Sequence, residues 1–348
     1  MGTTIRWGVL GAAAIAVERT LPAMKKAPSA ELAALASRDP AKGRRIADAL
    51  GIARVHASYE ALLADPHIDA VYVPLPNRLH FEWSVRALEA GKHVLCEKPL
   101  CMRADEVRRL IEVRDRCGRH IEEAFAYRNH PQWEKLDELL ARGAIGAPRS
   151  AHLTLAKRFM DPADIRNQLE QGGGALYDLG SYALDAIGRV FRRAPRRVVA
   201  ALDRDPQFGT DRLSSVLLDY GDAHALLTVG TQAGTAAWGT HQQFSVMGET
   251  GWLRMDFPYA HARSTACTLE LGDASSVGSL PTETFRFEPA DHYVLQIERF
   301  SQLLLGEPVA SHPIEQSLAI ATITEAIFAS AQSGGWQAVD RQAPHLGA

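Results

Sequence analysis

Short apolar runs alternate with amphipathic stretches over the first third of the chain. The run Ile5 to Leu10 leads into a turn crowded with glycine and alanine, and an apolar-rich helix is expected from near Ile15. "ELAALAS", from Glu31 to Ser37, reads as a second strand, and "PAKGRRIADALG" as a helix that tolerates Pro40 at its start and stops at Gly51. The alternation continues with a helical "YEALLAD", a buried strand in "IDAVYVPLP", and a helix in "HFEWSVRALEAG" closed by Gly91. A strand and loop in "HVLCEKP", a helix in "ADEVRRLIEVRDRCG" and a strand in "HIEEAFAYR" follow. Strands interleaved with helices at this spacing predict a parallel sheet covered on both faces, closing near residues 125 to 130.

Beyond "HPQWEKLDELLARGAIG" the period changes from helical to two. "RSAHLTLAKRF", "RRVVAALDRD", "DRLSSVLLDYG", "AHALLTVGTQ", "THQQFSVMGET", "GWLRMDF", "ACTLELG" and "TETFRFEP" have strand length, and several alternate polar with apolar residues between turns. That pattern predicts an antiparallel sheet with one covered face. Two helical runs follow, "HYVLQIERFSQLLLG" and "SLAIATITEAIFASAQSGG". The expected fold is an α/β chain with a parallel-sheet domain over residues 1–127 and an α+β domain over 128–348 with an open and predominantly antiparallel sheet. A short hinge is expected near Tyr127 to Pro131, and the C-terminal helix is a candidate to return to the first domain.

At 348 residues two domains are the ordinary expectation, and 46% apolar residues fit a globular protein. Lysine plus arginine number 38 against 41 acids, so no broad nucleic-acid footprint is expected. Cys96, Cys101, Cys117 and Cys267 make no CxxC pair and no ligand cluster with histidine; no metal site is expected, and a reducing, cytoplasmic setting fits. The N-terminal apolar run reads as a first strand rather than a secretion signal, and no stretch reaches the roughly 20 apolar residues of a membrane span.

Against that background, several residues point to chemistry. Gly11, Ala13 and Ala16 keep the spacing of a dinucleotide fingerprint, with alanine replacing the second and third glycines. Small residues there, Ala12 among them, admit a tight turn and close backbone approach, and a helix N-terminus behind them would offer amides to a pyrophosphate. The second strand ends in Ser37 and Arg38, followed by Lys42, Arg44 and Arg45. An acid at such a tip would bind the free ribose hydroxyl of NAD. Serine with arginine suits a 2′-phosphate and favours NADP, although Asp39 stands next in line.

Leu75, Asn77 and His80 lie at the mouth of the next strand. The strand ending at Cys96 delivers Glu97 and Lys98 to the same carboxyl edge, where open α/β sheets bind ligands. Pro99 restricts the backbone of Lys98 and so helps set its direction. In the second domain "GGGALYDLGSYALD" places Asp178 four residues before Tyr182, one helical turn apart, with Asp185 beyond. If the helix begins at Leu179, Asp178 sits near its start. Tyrosine titrates too high for efficient base work near neutrality, and a lysine cation would favour tyrosinate, so Lys98 and Tyr182 make sense as a pair from two domains.

Taken in order, "GVLGAAAIA", "SRDPAKGRR", "PLPNRLHFEW", "AGKHVLCEKPL", "EAFAYRNHPQ", "GGGALYDLGSYALD" and "HYVLQIERF" resemble the glucose-fructose oxidoreductase, inositol dehydrogenase and rhizopine catabolism family, Gfo/Idh/MocA. The resemblance implies a Rossmann dinucleotide-binding domain over residues 1–127, a second domain over 128–348 that binds substrate and mediates assembly, and a part in catalysis for the lysine of "EKP". It implies pyrophosphate-loop roles for Gly11, Ala13 and Ile15, and adenosine-phosphate contacts for Ser37 and Arg38. Leu75, Asn77, His80, Glu97 and Lys98 would form the nicotinamide-side wall, and Arg128 would lie close to cofactor and substrate. Many members carry DxxxH where this chain has Asp178 to Tyr182, a tyrosine form that resembles the dihydrodiol dehydrogenase and NADP-dependent D-xylose dehydrogenase branch. Arg166 in "DPADIR" resembles a substrate-side residue.

The function expected from residues and resemblance is an NADP(H)-dependent oxidoreductase acting at C1 of an unphosphorylated aldose. Lys98, Tyr182 and Asp178 are the catalytic candidates, and Arg166 would help bind the sugar. Alternatives are a trans-dihydrodiol dehydrogenase, a ketosugar or aldose reductase with tightly bound NADP, and a non-catalytic nucleotide or sugar sensor. The expected partners are a small sugar or polyol and a second copy of the chain, in a homodimer or homotetramer formed through the second-domain sheet, with neither nucleic acid nor membrane.

Overall fold

The alternating first third of the chain forms a six-stranded parallel sheet in the computed structural model, which describes residues 4–233, 240–259 and 266–340. Its strands are β1 (Ile5–Leu10), β2 (Ala30–Ala36), β3 (Arg54–His56), β4 (Ala70–Val73), β5 (His93–Cys96) and β6 (Ile121–Glu123), in the order β3-β2-β1-β4-β5-β6. The connecting helices are α1 (Leu21–Met24), entered through a π-turn at Ala16–Thr20, then α2 (Pro40–Leu50), α3 (Tyr59–Leu63), α4 (His80–Glu89) and α5 (Ala104–Cys117). Strand β4 is buried at every residue and β5 at all but His93, which is why both read as continuous apolar runs. Strand β3 escapes the sequence reading because its three residues are all half-buried and carry no period. Strand order reverses direction between β1 and β4, so the loops after β1, β2, β4 and β5 share the carboxyl edge of the sheet.

The later part of the chain contains α6 (Pro131–Ala141), β7 (Pro148–Ala156), a second π-turn at Leu176–Gly180 that runs into α7 (Ser181–Phe191), and β8 (Arg197–Arg204). Strands β9 (Asp211–Asp219), β10 (His224–Gly230), β11 (His241–Gly248), β12 (Trp252–Met255), β13 (Cys267–Gly272) and β14 (Glu283–Phe287) follow. The chain ends with α8 (His292–Leu304), α9 (Glu315–Ser333) and β15 (Gln337–Ala338). Nine strands form one sheet in the order β14-β13-β12-β11-β7-β10-β9-β8-β15, antiparallel throughout except for the parallel pair β7 and β10. Residues of one face, such as Leu153, Leu218, Leu227, Phe244 and Val246, are buried. The other face carries an outward row across the register, Arg254, Ser245, His152, Leu226, Leu217 and Val199. The mixed face reflects the period-two pattern of the sequence.

Two compact units result: Met1–Cys101, Asp105–Ala126 and Asp291–Ile314 form the first, and Met102–Ala104, Tyr127–Ala290 and Glu315–Ala348 the second. The sequence marks the C-terminal helix as the one to return to the first domain, whereas the returning segment carries α8. Ile297 and Phe300 are buried in one core with Trp7, Val9, Leu35, Tyr72 and Leu95, and the Trp7 indole donates to Ser301 Oγ at 3.1 Å. Helix α9 stays with the second unit, where Ser330 Oγ accepts from the Ala200 amide of β8 at 3.0 Å. Among the described residues no helix is long and apolar enough to cross a membrane, and no group of three or more His, Cys, Asp or Glu side chains could hold a metal ion.

Candidate active site

In the first unit, Gly11 ends β1 with φ +104°, and a Cβ there would lie 3.0 Å from the Leu75 side chain. Only glycine takes this turn without strain. Ala12 and Ala13 are half-buried and Ile15 is exposed, so the turn offers backbone rather than side-chain bulk, as a pyrophosphate cradle requires. At the tip of β2, Ser37 is buried and its Oγ accepts from the Asp39 amide at 3.2 Å. Gly43 of α2 packs on it so closely that a Cβ would stand 2.9 Å from Ser37 Cβ. The Asp39 carboxylate caps α2 by accepting from the Lys42 amide at 2.9 Å. The acid that leaves NAD open in the sequence is thereby committed to helix capping. Arg38 and Lys42 are exposed, and the Arg38 guanidinium reaches the Tyr59 hydroxyl, itself 3.4 Å from the position of a Cβ on Gly11. An exposed guanidinium beside the glycine turn, with Lys42 exposed on the first turn of α2, fits an adenosine 2′-phosphate.

The loop after β5 is pinned on both sides of Lys98. The Glu97 amide donates to Val73 O at 3.1 Å, and the Leu100 amide donates to Glu123 Oε1 at 2.9 Å. The Lys98–Pro99 peptide is cis. His80 is fully buried, with Nδ1 and Nε2 each 2.7 Å from a backbone carbonyl, that of Pro99 and that of Leu75. His80, expected to line the nicotinamide side, turns its ring nitrogens to these two carbonyls. Both ring nitrogens face the backbone, so the ring braces the loops that carry Leu75 and Lys98 and presents no nitrogen to a ligand. Burial pushes its imidazole pKa down, and the nearby Lys98 cation acts in the same direction.

In the second unit, Tyr182 stands one residue inside α7. The π-turn ahead of the helix places Asp178 within the helical run rather than at its start, which corrects the expected boundary at Leu179. Asp178 is buried and accepts from Arg166 Nε at 2.6 Å, while Arg166 also donates to Asp164 at 3.2 Å and lies 4.2 Å over the Phe159 ring. Burial would lower the Arg166 pKa, but the two carboxylates outweigh it and the guanidinium is held above its ordinary value. The sequence names Asp178 and Arg166 separately; the fold makes them one ion pair, a charged, planar surface suited to hydroxyl groups.

The triple glycine ahead of the π-turn has steric causes. A Cβ on Gly173 would stand 2.6 Å from the Ile165 and Arg166 carbonyl oxygens, and one on Gly174, at φ +120°, would lie 2.0 Å from Asp211 Oδ1. Asp211 in turn accepts from the Leu176 amide at 2.8 Å and from Ser214 Oγ at 2.7 Å, and so caps the turn.

Beside the Tyr182 ring lies a buried ion pair whose two members the sequence names separately. Arg128 donates through two nitrogens to Asp185, one at 2.9 Å, and the Tyr127 hydroxyl donates to the same carboxylate. The side chains of Arg128 and Asp185 are 2% and 3% exposed, so the Arg128 guanidinium, expected close to cofactor and substrate, is engaged by Asp185. The Tyr259 hydroxyl donates to the Tyr182 carbonyl at 2.8 Å, and the Tyr127 and Tyr259 rings stand 5.7 and 5.1 Å from the Tyr182 ring. One signal was available. Asp185 is an acid within the otherwise apolar "ALDAIG", and a buried acid calls for a cation.

A parallel sheet with a glycine turn at its order reversal and an anchored lysine after β5 defines the class as a nucleotide-binding α/β oxidoreductase fold. Residues 5–125 match the family described as "Oxidoreductase family, NAD-binding Rossmann fold", and residues 133–254 match its "GFO/IDH/MocA C-terminal domain". The chain belongs to the Gfo/Idh/MocA oxidoreductase family. It is 43% identical to an uncharacterized oxidoreductase of Rhizobium meliloti, over 96% of this chain and 99% of that one. It is 38% identical to a D-xylose 1-dehydrogenase (NADP(+)) of Haloferax volcanii, over 94% and 98% respectively. Among solved structures it resembles a 3-ketoreductase from Actinomadura kijaniata in complex with NADP and TDP-benzene. That match has a TM-score of 0.85 at 32% identity, and covers 94% of this chain and 98% of the other.

Proposed function

We propose that the protein is an NADP-dependent dehydrogenase that oxidises C1 of an unphosphorylated aldose to a lactone. The observation that carries this reading is the 38% identity, over 94% of the chain, to an NADP-dependent D-xylose 1-dehydrogenase. NADP, when bound, accepts the hydride. Gly11, Ala12, Ala13 and Ile15 would cradle its pyrophosphate, Arg38 and Lys42 its adenosine 2′-phosphate, and Leu75, Asn77 and Glu97 the nicotinamide side. Tyr182 takes the proton of the C1 hydroxyl, and Lys98 supplies the cation that favours its removal. The ion pair of Arg166 and Asp178 receives sugar hydroxyls and limits the orientations of the ring. A second reading, reduction of a ketosugar by the same groups, is favoured by the similarity to the Actinomadura 3-ketoreductase. Screening the purified protein against aldoses, polyols, dihydrodiols and nucleotide-linked ketosugars, read by cofactor absorbance and product analysis, separates the two. Lactone from an aldose is the expected product; turnover of ketosugars alone would overturn the first reading.

The cofactor reading makes its own forecast. Arg38→Ala weakens NADP binding at least tenfold and leaves NAD binding within about twofold, because a charge-assisted phosphate contact is lost while the shared nucleotide core is kept. Titration of both nucleotides by fluorescence checks this, and equal losses would contradict it. We further propose that the outer face of the nine-stranded sheet, where Leu226 and Met247 are 45% and 49% exposed, is covered by a second copy of the chain. A monomer in light scattering at micromolar concentration would exclude that assembly.

A further inference from the structure

We propose that Tyr72 is a positioning residue for the catalytic loop, its hydroxyl fixing Glu97 and through it the backbone that presents Lys98. The inference rests on the reading of Lys98 as a catalytic group. Tyr72 is fully buried in β4, and its hydroxyl donates to Glu97 Oε1 at 2.5 Å while accepting from Thr20 Oγ1 at 3.0 Å. Thr20 closes the π-turn that follows the glycine-rich loop, so a line of two hydrogen bonds runs from the helix behind that loop to the residue before Lys98.

The direction of the bonds follows from the chemistry. Burial, and after it the Glu97 carboxylate, holds the Tyr72 phenol well above its ordinary pKa, so it keeps its proton and donates it. Thr20 supplies the donor that fills the phenol oxygen, leaving the Tyr72 proton directed at Glu97. The Glu97 amide is anchored on Val73 O, the Pro99 carbonyl on His80, and the Leu100 amide on Glu123, which fixes main chain on either side of Lys98. Tyr72 adds a bond to the side chain next to the lysine. It can also be changed with almost no loss of volume, because phenylalanine keeps the ring in the core with Trp7, Leu95 and Phe300.

The test uses the full chain and the variants Tyr72→Phe, Thr20→Val and their double. Tyr72→Phe is expected to lower turnover roughly 10-fold to 100-fold, the scale of a misplaced catalytic group, with the Kd for NADP within about twofold. Thr20→Val is expected to give a smaller loss, with no further loss when added to Tyr72→Phe, because both act through one line of bonds. Hydrogen–deuterium exchange on the nucleotide-free protein gives a second readout. The amides of Glu97 and Leu100 should exchange faster in Tyr72→Phe, with the midpoint of thermal unfolding little changed. Normal turnover with unchanged exchange, or a loss of turnover that follows the unfolding midpoint, would overturn the proposal. Lys98→Met is measured in parallel. If it is fully active, the catalytic reading of Lys98 fails, and exchange at Glu97 and Leu100 alone then decides whether Tyr72 fixes the loop.

Discussion

Replacing Tyr182 by phenylalanine is expected to lower turnover by roughly 100-fold to 10,000-fold while NADP binding stays nearly intact, the usual worth of a positioned proton-transfer group. The fold tolerates the change for a visible reason. The bond from Tyr259 goes to the Tyr182 backbone carbonyl, and the neighbouring rings of Tyr127 and Tyr259 meet a ring that phenylalanine retains. Lys98→Met is also expected to lower turnover, and under the proposed function the two losses should fall short of adding. Steady-state rates on the preferred sugar, nucleotide affinity and thermal unfolding for the single and double variants measure this. A surface lysine and a packing tyrosine would instead give, respectively, no kinetic effect and a general loss of stability. Near-normal turnover in Tyr182→Phe would remove its assigned role.

The second large effect is thermodynamic. Arg128→Met strips a cation from Asp185, a carboxylate whose side chain is 3% exposed, and such uncompensated burial costs about 3–5 kcal/mol. In a chain of 348 residues that is expected to lower the unfolding midpoint by roughly 4–7 °C. Adding Asp185→Leu to Arg128→Met recovers part of the loss, because a buried ion pair exchanged for apolar side chains is often neutral, whereas half of one is not. Thermal unfolding of both variants decides the matter. A single variant within a degree of the parent would show that Asp185 has no need of the guanidinium.

Much of the architecture is legible in the sequence because the first sheet is parallel and buried on both faces. Its central strands read as runs such as "AVYV" and "HVLC", and the second sheet reads by alternation. What escapes has identifiable causes. The two-residue β15 is too short to show a period. The π-turns at Ala16–Thr20 and Leu176–Gly180 are single wide turns joined to α-helices, and a 3.6-residue period does not distinguish them. At the site, sequence order brings Leu75, Asn77, Glu97 and Lys98 to one sheet edge, since strand ends can be read from turn residues. The direction of the His80 ring cannot be read that way, because it depends on two carbonyls, Leu75 and Pro99, that meet only in the folded unit. Likewise Arg128 and Asp185 stand 57 residues apart; the acid within "ALDAIG" calls for a cation, but the sequence does not say which one.

The return of α8 to the first unit also sets a timetable for synthesis. Trp7 and its hydrogen-bond partner Ser301 are 294 positions apart, and the ribosome adds roughly 5–20 residues per second, so the side of the first sheet that α8 covers waits roughly 15–60 s for its helix. Once Leu95 has been added, the nascent chain carries Trp7, Leu35 and Leu95 without the cover of Ile297 and Phe300 while most of the second unit is being made. The unit that leaves the ribosome first is therefore completed late, and for most of its translation the growing polypeptide displays an unfinished apolar surface of the kind that holding chaperones bind.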